Sequence, residues 1–399
     1  MSARVLAITS QLPWPLNTGG HIRSFHLLRA VARRFDLRVI AGVESADHPG
    51  LAVMKAHGIT VLPAVTGPRR PMEEAARAAR ATMGGEPYVM FHRHNRAQMR
   101  RQITRALADA PPDLVYLDHL DPYAFRPLFP QARLLVDFHN LYGRLAERVA
   151  TERAGVAGRY LAREARLLSR IEARAAKDAR VVMSVSAEEA EQFRRLGAAH
   201  VALVPNGVDC ATYAALPVGR KPAPPVLVYI GALSWVPNAV ASDYLARVVL
   251  PEVRRGHPTA VLKLVGRDPG PAVKALAELP GVEVHGNVPD VSVYLADASL
   301  LAVALDSGGG TRLKILEAFA AGLPVVSTPV GCEGIDAVHG EHLWVAEYGA
   351  FAAGVNAVLA DPAAATARAA RARQLAVRHY DWSAIGEQAC AAIVQAVRA

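Results

Sequence analysis

The sequence predicts an α/β protein of two Rossmann-like domains, each a parallel sheet covered by helices, facing one another across a cleft. Three observations predict it. The chain has 399 residues, too many for one ordinary core. Short apolar strands alternate with helical stretches, the pattern of a parallel sheet with crossover helices. That alternation runs twice, and the turn Pro205-Asn206-Gly207-Val208-Asp209 separates the two series.

The first series predicts strands over Val5–Ser10, Leu37–Val43, Leu114–Leu117, Leu134–Phe138 and Val181–Ser184. Between them lie helices such as Gly20–Arg34 and one long Arg-rich run, Arg144–Arg180. The second predicts Val226–Gly231, Ala260–Val265, Val282–Gly286, Leu300–Ala304, Pro324–Ser327 and Leu343–Val345. The Pro-rich segment Pro217–Pro225 stands where a linker belongs. Domains are thus expected over 1–205 and 206–380, followed by a terminal helix, 381–399. In such folds ligands bind beyond the carboxyl ends of the strands.

Hydrophobic residues make up 52% of the chain and charged ones 20%, which is globular rather than disordered. Residues 1–205 hold 30 Lys and Arg against 19 Asp and Glu, a net +11, while 206–399 hold 15 against 17. A basic half of this kind meets an anionic membrane surface or an acidic acceptor, or is a solvated Arg-rich helical face. Nucleic acid is not an expected partner, because the basic residues lack interleaved aromatics and no nucleic-acid motif occurs. Cys210, Cys332 and Cys390 are too scattered for a metal site or a disulfide framework. No targeting segment and no stretch of roughly 18 apolar residues is found. The expectation is a cytoplasmic protein, peripheral at the inner face of the membrane.

The chemistry concentrates at Asp306-Ser307-Gly308-Gly309-Gly310-Thr311, between a strand and a helix expected from Arg312 through Ala321. Glycines there let the backbone approach a ligand, and the first helix amides and dipole form an anion site. Arg312 and Lys314 place cations where the dipole disfavours them, which a bound anion would compensate. The plainer reading is a flexible glycine loop with two solvated basic residues.

The run from Arg312-Leu313-Lys314-Ile315-Leu316-Glu317 to Gly322-Leu323-Pro324-Val325-Val326-Ser327-Thr328 resembles the signature of the family-four retaining glycosyltransferases of the GT-B fold. The resemblance implies a nucleotide-diphosphate sugar as donor substrate, no separate cofactor and no metal. It implies that Glu317 holds the ribose hydroxyls, a task suited to a carboxylate with two acceptor oxygens. The family's first Glu, seven residues earlier, is replaced by Gly309, so a side-chain contact to the donor sugar gives way to backbone at Gly309, Gly310 and Thr311. Many members carry Gly-Arg after the first strand of the second domain. Here Gly231 is followed by Ala232, so Arg312 and Lys314 are expected to supply the missing charge, with Arg267 as a secondary cation. Asn287 and Val288 fall in the loop that meets the nucleotide base in the family.

In the first half, Gly19 and Gly20 match the family's glycine pair opening a helix towards phosphate or sugar oxygens. His139, ending a strand, matches the family's sugar-contacting histidine, and His119 is its rival. Arg312 and Lys314 are expected to stabilise the leaving group electrostatically. The segment from His379 to Ser383 and the helix after it resemble the family's terminal segment, which crosses back to the first domain. The implied activity is transfer of a sugar to an acceptor hydroxyl with retention of configuration, in polysaccharide, glycolipid or natural-product biosynthesis. The acceptor is a glycan, a lipid-linked intermediate or a small molecule. A nucleotide-sugar epimerase of similar shape and a non-catalytic nucleotide-sugar binding protein are the other readings open at this stage.

Overall fold

A computed structural model describes residues 2–68, 70–89, 91–151, 153, 155–219, 224–307 and 312–398. The chain divides into two compact units, Met1–Pro205 with Ile385–Ala399, and Asn206–Ala384. No helix among the described residues is long and apolar enough to cross a membrane.

The first unit is built on seven strands: β1 (Arg4–Thr9), β2 (Asp36–Val43), β3 (Thr60–Val65), β4 (Leu114–Asp118), β5 (Leu134–Phe138), β6 (Val181–Ser184) and β7 (Val201–Leu203). They form one sheet in the order β3-β2-β1-β4-β5-β6-β7. Every pairing is parallel, with Val5 opposite both Leu37 and Leu114 in the central three strands. The central strands are buried along their whole length, as helices on both faces require. Sequence reading missed β3 and β7, both at the sheet's edges. β3 is interrupted by Pro63, a residue that argues against an inner strand, and β7 is only three residues long.

The expected helix over Arg144–Arg180 is two helices, Tyr142–Thr151 and Gly155–Asp178. Gly155 takes φ +73°, a left-handed conformation that ends the periodicity. The pair packs closely: a Cβ on Gly143 would stand 2.1 Å from Ser169 Oγ. The Glu172 carboxylate accepts the Gly143 amide at 3.2 Å. In the same unit, Gly386 of the terminal helix Trp382–Arg398 lets that helix approach Ala30, whose Cβ would lie 2.5 Å from an added one.

The second unit has six parallel strands: β8 (Val226–Ala232), β9 (Val261–Arg267), β10 (Val282–Gly286), β11 (Leu300–Val303), β12 (Val325–Ser327) and β13 (Trp344–Val345). Their order is β10-β9-β8-β11-β12-β13. The order reverses direction between β8 and β11, which opens a crevice at the carboxyl ends of those strands. Gly231 and Gly266 are register partners there, and Gly266 has φ +154°. A Cβ on Gly266 would lie 1.6 Å from the Gly231 carbonyl oxygen, so no other residue fits.

Candidate active site

In the first unit, polar side chains gather at the carboxyl ends of β4 and β5. Asp118 and Asp137 are 1% and 0% exposed, among apolar strand residues. Burying two carboxylates is costly without cations and hydrogen bonds. Arg23, from the helix Gly19–Ala32, answers that need. Its Nε and Nη2 donate to the two oxygens of Asp137 at 3.0 and 2.6 Å. Its Nη1 donates to the carbonyls of Val204 and Pro205 at 2.8 and 3.1 Å. Ser24 Oγ donates to Asp118 at 3.0 Å, and the Tyr116 hydroxyl to Asp137 at 3.2 Å.

His139 follows β5 and is buried. Its Nε2 stands 3.1 Å from Asp118 and 3.3 Å from Asp137. Burial opposes its protonation, but Asp137 and Asp118 outweigh burial and raise its pKa. Asp137 is held well below the usual carboxylate range, because Arg23 and His139 overcome its burial. One ligand atom each of Asp118, Asp137 and His139 falls within a 4.8 Å cluster, a spacing that metal sites use. Here the cation opposite Asp137 is the guanidinium of Arg23.

His119 follows β4 with φ +87°, and its ring lies tilted by 43° against that of His139, centroids 3.6 Å apart. Burial, then the charge on His139, pushes it down to about 3, so it is neutral. Its Nδ1 is hydrogen-bonded to the Tyr142 hydroxyl, and its Nε2 is left facing the other way. That Nε2 and the Nδ1 of His139 both point at Gly20. A Cβ there would lie 3.5 and 3.7 Å from them. His139 Nδ1 has no hydrogen-bond partner among the described residues. Gly20 lies in the first turn of its helix, where Thr18 caps by accepting the His21 amide at 3.2 Å. Two imidazole nitrogens and the start of a helix therefore face one small space, suited to an oxygen ligand.

In the second unit, the helix expected from Arg312 runs over Leu313–Ala320, with Arg312 as its N-cap. Gly309, Gly310 and Thr311 lie outside the described residues. The two cations take different places. Arg312 is 4% exposed and its Nη2 donates to the Val330 carbonyl at 3.0 Å. Lys314 reaches the carboxyl end of β8, where Nζ donates to the Tyr229 hydroxyl and to Asn238 Oδ1, both at 3.1 Å. The ammonium also lies 4.2 Å from the Tyr229 ring centroid. A Cβ on Gly231 would stand 3.1 Å from Nζ and 2.7 Å from Asn238 Nδ2. The ammonium thus stands beside Gly231, at the loop where the family signature has a basic residue.

Burial, then Arg312, pushes Lys314 down to about 7. Glu317 lies one turn along the same helix. Burial and Asp290 push it up to about 7, against the pull of Lys314. Its carboxylate has no hydrogen-bond partner among the described residues. A cation and a carboxylate thus lie three residues apart on one helix face.

The remaining expected residues are placed as follows. Asn287 has φ +56°, and its Oδ1 accepts the Asp268 amide at 2.9 Å, so its side chain ties the ends of β9 and β10 together. Val288 packs on the hydrophobic core. Arg267 is exposed at the end of β9, and its carbonyl accepts the Leu233 amide at 2.8 Å. Sequence reading missed Arg23, Asp118, Asp137, Tyr229 and Asn238. The available signal was a polar side chain inside an otherwise apolar strand, as in Leu134-Leu135-Val136-Asp137-Phe138 and Val226-Leu227-Val228-Tyr229-Ile230.

Two parallel α/β units with these sites define a glycosyltransferase of the GT-B fold. Residues 25–212 match the family model Glycosyltransferase Family 4, and residues 224–361 match Glycosyl transferases group 1. Together the two models take in most of the chain, which belongs to the family-four glycosyltransferases. Glycogen synthase of Mycobacterium tuberculosis is 26% identical over 96% of this chain and 92% of its own. Sucrose-phosphate synthase from Thermosynechococcus elongatus has the same fold, with a TM-score of 0.70 and 19% identity over 98% of each chain. Anabaena HepE, solved in complex with UDP and glucose, gives 0.66 and 14% identity over 98% of this chain and 99% of its own.

Proposed function

We propose that this glycosyltransferase moves a sugar from a nucleotide-diphosphate sugar to an acceptor hydroxyl with retention of configuration. The observation that carries this reading is the Lys314 ammonium beside Gly231 at the carboxyl end of β8, with Glu317 one turn further along the helix. Lys314 binds the diphosphate and neutralises the charge that develops as the nucleotide departs. Glu317 accepts the ribose hydroxyls. In the first unit, His139 and His119 donate to sugar oxygens at Gly20. The HepE structures with UDP and with UDP-glucose support a donor of this class.

The acceptor oxygen forms its bond to the anomeric carbon as the bond from that carbon to the diphosphate oxygen breaks. The acceptor proton passes to the departing phosphate on the same face, so no separate protein base is used. Charge stabilisation by Lys314 and backbone amides requires no metal and no cofactor. The acceptor is a glycan, a lipid-linked intermediate or a small molecule, handled in the cytoplasm or at the inner membrane face, in polysaccharide, glycolipid or natural-product synthesis.

Titration calorimetry with UDP, ADP and GDP tests the donor site: one nucleotide binds, and Glu317→Gln weakens it at least tenfold. Equal, weak binding of all three would remove the donor assignment. Proton NMR of the first-formed product tests the stereochemistry, and an inverted anomeric centre would overturn retention.

A further inference from the structure

We propose that the first unit carries a phosphate-binding pocket at the carboxyl end of β3, which holds a phosphorylated acceptor away from its reacting hydroxyl. The loop leaving β3 and the start of the helix Ala97–Asp109 enclose a cavity of about 390 Å³, lined by Arg70, Arg77, Arg96 and Gln98 among others. The guanidiniums of Arg77 and Arg96 are held by backbone carbonyls, which orient a cation without neutralising it, as well as by Glu74, while Arg70 is largely exposed. Arg77 Nη2 donates to the carbonyls of His92 and Asn95 at 2.7 and 3.1 Å. Arg96 Nη1 donates to that of Thr66 at 2.9 Å.

The described carboxylates here are fewer than the cations. Glu74 lies 3.1 Å from Arg77 and 3.5 Å from Arg96, so one anion serves two guanidiniums. Glu73 lies 3.5 Å from Arg70 at the exposed rim. Arg100, one turn into the helix, donates to the neutral Oδ1 of Asn95 at 2.9 Å. Three guanidinium groups line the cavity, which has room for a phosphate together with part of the molecule that carries it.

The pocket lies at the same carboxyl end of the sheet as His139, which follows β5. Met99, next to Gln98, has its sulfur 3.7 Å from where a Cβ on Gly42 would stand; that Cβ would lie 2.5 Å from the Ser10 carbonyl. Gly42 is in β2 and Ser10 follows β1. From β3 to β4 and β5 is three and four strand positions. At a spacing of about 4.8 Å, the pocket therefore lies roughly 14–19 Å along the sheet from His119 and His139. An extended acceptor with its phosphate in the pocket would reach the histidines. The acceptor role rests on the proposed transfer reaction; phosphate binding does not.

Thermal unfolding of the full chain in inorganic phosphate, against chloride at equal ionic strength, tests the pocket. Phosphate is expected to raise the Tm of wild type and equally of Lys314→Met, in which the donor-site cation is gone. Gln98→Glu, favourable at a helix start and so harmless to the fold, is expected to weaken the phosphate response at least fivefold, and Arg70→Gln to weaken it less. No shift beyond chloride would overturn the proposal, as would a shift lost in Lys314→Met but kept in Gln98→Glu. Competition by glucose 6-phosphate identifies a soluble phosphorylated acceptor. Sedimentation with phosphatidylglycerol vesicles, abolished by Gln98→Glu, identifies a lipid-borne phosphate.

Discussion

Lys314 and Glu317 titrate near the same pH for one physical reason, burial, acting on opposite charges. An ammonium losing water is driven down from its ordinary value to about 7. A carboxyl in the same environment is driven up to about 7. On the proposed roles, diphosphate binding needs the charged lysine and should be lost as pH rises past 7. Ribose binding needs the charged glutamate and should be lost as pH falls below 7. Nucleotide affinity should therefore peak near pH 7, with limbs of up to about tenfold per pH unit. Lys314→Met should flatten the alkaline limb and Glu317→Gln the acidic one. Calorimetric titrations from pH 5.5 to 8.5 read both limbs, and a wild-type profile without a maximum would contradict the paired roles. For folding the lysine acts in one direction. Between about 7 and its ordinary value the unfolded chain holds the proton more tightly, so its burial destabilises the protein most at low pH.

At the scale of elements, the strand ends leave little freedom. The helix Gly19–Ala32 is fixed to β5 by the forked ion pair of Arg23 and Asp137, 2.6 Å at its shorter arm. Removing one partner strands the other charge, so Arg23→Met should cost about 3–5 kcal/mol in denaturant unfolding. Because the pair depresses the Asp137 pKa, its stabilisation is present above the ordinary carboxyl range and is lost as pH falls through the folded value. In the second unit, Gly266→Ala forces a Cβ to within 1.6 Å of the Gly231 oxygen and should cost about 2–3 kcal/mol. It should also disturb nucleotide binding, because Gly231 borders Lys314. An alanine variant with wild-type stability would show that β8 and β9 can separate there at no cost.

For the whole molecule, charge is divided unequally along the chain. The +11 of residues 1–205 sits in the chain segment that forms most of the first unit, while the second half is near neutral. Binding to anionic vesicles should therefore follow the first unit's charge and fall steeply between low salt and 0.5 M, because a Debye length of about 8 Å at physiological salt shortens further. Salt-independent sedimentation would point instead to apolar insertion.

The double alternation of apolar strands and helices, the turn at 205–209 and the run around Glu317 were readable from the linear chain. Periodicity and local motif chemistry are encoded within short windows. Inner strands announced themselves, as did the edge strands β10 and β13; β3, which contains Pro63, and the three-residue β7 did not. The sequence by itself determined the fold class and the glycosyltransferase family. Only the tertiary structure decided that Arg23 serves Asp137, 114 residues away. It also decided that Lys314 stands at Gly231 while Arg312 turns to Val330, and that two histidines share one face beneath Gly20. These pairings join strand ends that are distant in sequence, and only the folded sheet brings together the groups whose burial must be balanced by a partner.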